Sequence, residues 1–280
     1  MPLGNFALLA HWASHMALDI SARFSFSFDG PGDSLLQFEV AHLPEQSVLS
    51  ANCEMSPALH LARVPAQENI GERIWMRSQG EIIVDYKARV EVQRQAPDTT
   101  GLKAMDPHAL PGEAVQYLFD SRYCQADRMQ SFVETRFGEL QGGAKIAEMC
   151  RWIGEEIAYE PGSSKAHTTA TDTFVQRRGI CRAPHVMVAF ARAATIPARY
   201  VSCYAPGVSP QDFHAVAEVF LADPTVPGGG AWYMVDPTGM ADPAQTAKIG
   251  VGRDAADVSF MTVFTYTMFG PHEVSVNPVG

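Results

Sequence analysis

The chain has 280 residues, 46% of them apolar and 19% charged, with a formal net charge of −10. That is the balance of a globular chain able to bury a sizeable core. The acidic excess argues against a nucleic-acid partner, because neutralising a phosphate backbone takes clustered Lys and Arg. No stretch reaches the roughly 18 apolar residues of a membrane helix, so no membrane partner is expected.

Residues 1–15 lack the basic start of a secretory signal and are set aside as a leader, since a more regular pattern opens at Met16. From Leu18 to Val92 the chain has the look of sheet. Phe24, Phe26 and Phe28 alternate with serines before Asp29-Gly30-Pro31-Gly32, which reads as a turn. Ile74-Trp75-Met76 and the run from Ile82 to Val92 add two strands, divided by Ser78-Gln79-Gly80. Residues 16–97 are therefore expected to form a small antiparallel β domain, with a polar, Pro-rich linker over 98–112 and a second domain over 113–280.

In that second domain Glu113 to Leu118 and Ala144 to Ile157 have helical spacing. Ile146, Met149, Cys150, Ile153 and Ile157 recur at steps of three and four, which makes Cys150 a core residue. A turn over Tyr159 to Ser164 and a short helix over Thr169 to Gln176 follow.

Arg178-Gly179-Ile180-Cys181-Arg182-Ala183-Pro184-His185 then leads into the apolar run Val186 to Ala194. Proline is tolerated only in the first helical turn, so Pro184 pins a helix start close to Cys181. Unpaired N–H groups and the positive end of the helix dipole favour a thiolate there, and could also hold an oxyanion. Two further strands, Phe213 to Leu221 and Ala231 to Val235, are joined by the loop from Asp223 to Gly230. With that loop centred near Thr225, His214 falls opposite Asp236, where cross-strand Cβ atoms lie roughly 4.5–5.5 Å apart. Pro237 ends the second strand beside a cleft. A thiol, an imidazole and a carboxylate in this order suit nucleophilic acyl transfer.

The remaining candidates are weaker. Gln176 is a surface glutamine or an oxyanion donor, Glu218 a rim charge on the His214 face, Gly250-Val251-Gly252 a tight loop, and Cys203 a packing residue. Five widely spaced cysteines, an odd number, suggest reduced thiols and a cytoplasmic protein.

Gly179-Ile180-Cys181-Arg182, Ile196-Pro197-Ala198-Arg199-Tyr200-Val201-Ser202, Asp212-Phe213-His214-Ala215 and Trp232-Tyr233-Met234-Val235-Asp236-Pro237 resemble the bacterial transglutaminase-like branch of the cysteine-protease-like superfamily. Tyr159 to Ser164, Thr168-Thr169-Ala170 and Gly252 to Asp257 share the likeness. The resemblance implies an α+β, papain-like core, with a helix carrying the cysteine packed on an antiparallel sheet, after a small β module. It also implies Cys181 as nucleophile, His214 as base and then acid, and Asp236 as orienter. No metal or organic cofactor is expected, and the substrate is expected to be a peptide, a protein or a small amide, hydrolysed or transamidated.

One departure stands out. The family places an acidic residue, an aromatic, an alanine and then histidine after its Cys-Arg pair, whereas this chain continues Ala183-Pro184-His185. Two alternatives follow from it. One is a binding module that kept the fold but lost catalysis. The other is a metal site of Cys181 and His185, which share a helical face, completed by His214 or Asp236.

Overall fold

The computed structural model describes residues 16–160, 167–179 and 182–279. The leader set aside over residues 1–15, most of the turn expected after Tyr159, and Ile180 with Cys181 lie outside the described residues.

The first sheet is organised by two long antiparallel strands, β1 (Met16–Leu36) and β4 (Glu72–Val92), paired over almost their full length. The segment Asp29-Gly30-Pro31-Gly32 does not reverse the chain as expected. The ladder steps from Phe28 opposite Gly80 to Gly32 opposite Ser78, so both expected breaks meet in one bulge. The reason is burial. Ile74 and Met76 on one side of the bulge, and Ile82, Val84 and Tyr86 on the other, all bury the same face, which a turn would have split. Gly80 supplies the positive φ of 75° that the irregularity needs.

β2 (Gln46–Met55) and β3 (His60–Pro65) pair end to end along the free edge of β4. Along the free edge of β1 run two strands from the far end of the chain, β9 (Met261–Val263) and β10 (Met268–Val279). The sequence division assigns these to the unit over 113–280, yet they complete the first sheet. They cover an edge that would otherwise lie open, and they send Val274 and Val276 into its core.

The second sheet has four antiparallel strands in the order β8-β5-β6-β7: β5 (Ala198–Tyr204), β6 (His214–Ala222), β7 (Gly230–Val235) and β8 (Ala247–Gly252). Every residue of β5 and β8 is buried, and all of β6 but its last, so these strands show no alternation of buried and exposed positions, and the charged Arg199, Glu218 and Lys248 are buried with them. The expected tight loop at Gly250 is part of β8. A Cβ at Gly250 would sit 2.0 Å from the side-chain amide of Gln37, so a larger residue there would displace the buried Gln37 side chain.

Four helices cover one face of this sheet: α1 (Gln130–Phe137), α2 (Gly142–Glu156), α3 (Ala170–Gln176) and α4 (Ala183–Ala193). α4 is central, buried from Pro184 to Arg192, and packs Phe190 among Phe132, Phe137, Trp152 and Phe174. Tyr204, Ala247 and Ile249 instead join the core of the first sheet, which binds the two halves together. The architecture is mixed α and β with antiparallel sheets, as expected. No described helix is long and apolar enough to cross a membrane.

Candidate active site

β6 begins at His214 and β7 ends one residue before Asp236. The hairpin register differs from the expected one by two residues. Ala217 faces Val235, so Asp236 lies diagonal to His214 rather than opposite. An even shift leaves both side chains on the expected face. His214 Nε2 lies 3.1 Å from Asp236 Oδ2, with side chains only 3% and 2% exposed.

Asp236 is held from several directions. Its Oδ1 accepts from the Thr238 amide at 2.8 Å, its Oδ2 accepts from the Ala241 amide at 2.7 Å, and the Thr238 hydroxyl lies 2.7 Å from both oxygens. Burial acts to raise the Asp236 carboxyl, and the hydrogen bonds from His214 and Thr238 outweigh it, so its pKa is held below the ordinary value. An ionised carboxylate only accepts, so the proton shared with His214 belongs to Nε2. In the neutral ring the lone pair is then on Nδ1. Thr238 and Ala241 are partners the sequence reading missed. The Asp-Pro-Thr spelling signals the first, since a carboxylate two residues before an amide forms an Asx turn.

Cys181 lies outside the described residues, but its sequence neighbours are placed. Arg178 and Gly179 form a short parallel bridge with Ala158 and Tyr159. Arg182 caps α4, its carbonyl accepting from the Val186 amide at 3.2 Å, and Pro184 falls in the first turn as expected. Arg182 and His214 line the same cleft, of about 390 Å³.

The other thiols are poor nucleophiles. Burial pushes Cys53, Cys124 and Cys150 up to about 12, with the charge of Glu39 assisting at Cys53 and that of Asp236 at Cys150. Cys203 is fully buried, as expected of a packing residue.

His185 has a different environment from His214. Its ring stacks on Tyr200 with centroids 4.4 Å apart, and its Nε2 accepts from the Ala255 amide at 3.1 Å. Burial, together with the charges of Arg182 and Arg192, lowers its pKa well below the ordinary value, so it stays neutral. Its Nδ1 is buried with no hydrogen-bond partner among the described residues. The Nε2 lone pair is therefore engaged by backbone, and among the described residues no three His, Cys, Asp or Glu side chains cluster as metal ligands.

Gln176 is exposed at the end of α3. Glu218, expected as a rim charge, is instead 1% exposed. It lies 2.7 Å from Arg199 and 2.6 Å from Lys248, and Arg199 reaches on to Glu68 at 2.6 Å. Burial acts to raise the Glu218 carboxyl, but the two cations carry it down to about 2. The sequence showed a lone acid on a strand, and nothing in it marked partners 19 and 30 positions away.

Residues 123–237 match the model of the transglutaminase-like superfamily. The chain is 26% identical to the crystal structure of the "putative cysteine protease" of Cytophaga hutchinsonii, with a TM-score of 0.85 over 95% of this chain and 91% of that one. It is also 30% identical over 125 residues to the uncharacterised protein ML0607 of Mycobacterium leprae (strain TN). That match covers 41% of this chain, which spans 42% of the relative's length.

Proposed function

We propose that this transglutaminase-like domain is a cysteine-dependent acyl-transfer enzyme acting on peptide or amide bonds, with Cys181 as nucleophile, His214 as base and then acid, and Asp236 as orienter. The observation that carries the reading is the buried His214–Asp236 hydrogen bond in a residue that shares a cleft with Arg182, the neighbour of Cys181. The cysteine-protease-like family supports the same chemistry.

The steps follow from the proton positions. Asp236 fixes Nε2–H, so Nδ1 takes the thiol proton and leaves a thiolate–imidazolium pair that the carboxylate stabilises. The thiolate adds to the amide carbonyl carbon. The C–N bond then breaks as the imidazolium gives its proton to the leaving amine, which departs and leaves a thioester. Water, deprotonated by the neutral imidazole, attacks that thioester, the C–S bond breaks, and the products are a carboxylate and the restored thiol. An amine in place of water gives transamidation by the same route. The positive end of α4 suits the developing oxyanion.

The test is acid quenching of the protein during incubation with a mixture of peptide amides, followed by intact mass measurement. An acyl adduct on wild-type protein that is missing from Cys181→Ala supports the reading. Equal turnover by wild type and Cys181→Ala would end it.

A further inference from the structure

A second cavity, of about 520 Å³, lies in the first sheet and shares no lining residue with the cleft at His214. It forms on the core face of that sheet, at the β2/β3 edge. Cys53 pairs with Tyr86, Ala51 with Ala88 and Arg63 with Ile74. Paired residues project to the same side, so these three edge residues point the way their buried partners do. Residues from the segments 39–42 and 69–72 complete the lining. Both segments are tied to the second sheet. The Ala41 amide donates to the Lys248 carbonyl at 2.9 Å, and Gly71, at a φ of 82°, sits so close to the Ile249 carbonyl that a Cβ would lie 2.2 Å from it. The walls are therefore set by the fold.

Apolar residues at the edge positions would close this crevice; the chain places charge there instead. Arg63 donates to both oxygens of Glu39 and, at 3.0 Å, to Glu72. One guanidinium between two carboxylates leaves an excess of one negative charge on this wall. The floor is apolar, formed by Val40, Val48 and the ring of Tyr86, which is 2% exposed. The Tyr86 hydroxyl accepts from the Val40 amide at 3.1 Å, and among the described residues nothing accepts its own proton. Burial, assisted by the charge of Glu39, pushes that phenol up to about 12, so the proton is retained. A buried donor without an acceptor costs free energy, which a ligand carrying an acceptor would recover.

Independently of the acyl-transfer reading, we propose that this cavity binds a primary ammonium group with a neutral carbonyl beside it and a small apolar side chain. That is the chemistry of an amino-acid amide or of a peptide N-terminus. The ammonium lies against Glu39 and Glu72, the carbonyl oxygen accepts from the Tyr86 hydroxyl, and the side chain covers Val40 and Val48. A cavity of this size suits a ligand of a few residues or fewer. A carboxylate in place of the carbonyl meets the excess negative charge and is disfavoured.

The test is isothermal titration of L-leucinamide, N-acetyl-L-leucinamide, isopentylamine and Leu-Gly-Gly-amide into the Cys181→Ala protein, which keeps turnover out of the measurement. L-Leucinamide binds about tenfold tighter than its acetylated form, which lacks the charge, as expected for one charge-assisted hydrogen bond. It also binds about threefold or more tighter than isopentylamine, which lacks the acceptor. Glu72→Gln, a change at an exposed side chain, weakens L-leucinamide about tenfold and leaves the acetylated form unchanged. Tyr86→Phe, with its fold checked by circular dichroism, removes the preference over isopentylamine. Tighter binding of Leu-Gly-Gly-amide assigns the cavity to a peptide end, and equal or weaker binding to a small amide; either result sustains the inference. No binding of L-leucinamide, equal affinity for the acetylated form, or an affinity untouched by Glu72→Gln overturns it and leaves the acyl-transfer reading standing.

Discussion

At the start of β6, His214 meets Asp236 at 3.1 Å; four residues along the same strand, Glu218 meets Arg199 at 2.7 Å and Lys248 at 2.6 Å. Both carboxylates are buried and both are held below their ordinary pKa. They differ in the partner's chemistry. A neutral imidazole carries one donor and one acceptor nitrogen, whereas a guanidinium and an ammonium only donate. The first arrangement can therefore move a proton during a reaction, and the second can only hold structure. Burial and hydrogen bonding alone do not distinguish the two carboxylates; the partner does.

Breaking the first pair should cost activity. His214→Ala is expected to slow acyl transfer about 100-fold or more, the usual contribution of a positioned base, measured at a temperature where the variant is folded. Asp236→Asn should act in the same direction, measured by turnover on a peptide amide. Comparable turnover in His214→Ala would remove the distinction between the two regions.

Breaking the second pair should cost stability. Glu218→Gln leaves Arg199 and Lys248 facing a neutral partner, and a loss of about 3 kcal/mol is expected, as for other buried pairs stripped of one member. Denaturant titration measures it, while the labelling rate of Cys181 stays within about twofold, well inside the range a lost base would exceed. The pH dependence follows from the sign of the shift. A carboxyl depressed to about 2 from 4.5 contributes stability that is complete above the ordinary value and is lost as pH falls towards about 2. The gap between wild type and Glu218→Gln should therefore narrow through that acid range. A gap that stays constant contradicts the assigned ion pairs.

The smallest effect is expected at Thr238, whose hydroxyl lies 2.7 Å from both oxygens of Asp236. Thr238→Val keeps the amide donor and removes the hydroxyl, and should slow acyl transfer about tenfold, in line with one hydrogen bond to a charged group. An unaltered rate would mean that the backbone amides alone position the carboxylate.

The sequence carried the local part of this picture well. Pro184 fixed the start of α4, the runs Phe213 to Leu221 and Ala231 to Val235 became β6 and β7 to within a residue, and parity kept His214 and Asp236 on one face although the hairpin register moved by two residues. What it hid was non-local. A Gly-Pro cluster spells a turn in isolation, and only the facing Gly80 makes it a bulge. Nothing in the spacing around Val274 and Val276 tells that β10 returns to β1, more than two hundred residues away. Glu218 looked solvent-facing because its cations lie on other strands.

The most direct measurement is the rate of Cys181 alkylation by iodoacetamide near pH 6, read by peptide mass spectrometry on wild type and His214→Ala. The thiolate–imidazolium pairing predicts that Cys181 is modified at least about tenfold faster than a free thiol of ordinary pKa, that the deeply buried Cys124 and Cys203 stay unmodified, and that His214→Ala removes the advantage. A Cys181 that reacts no faster than a free thiol, or equally fast without His214, would contradict the account.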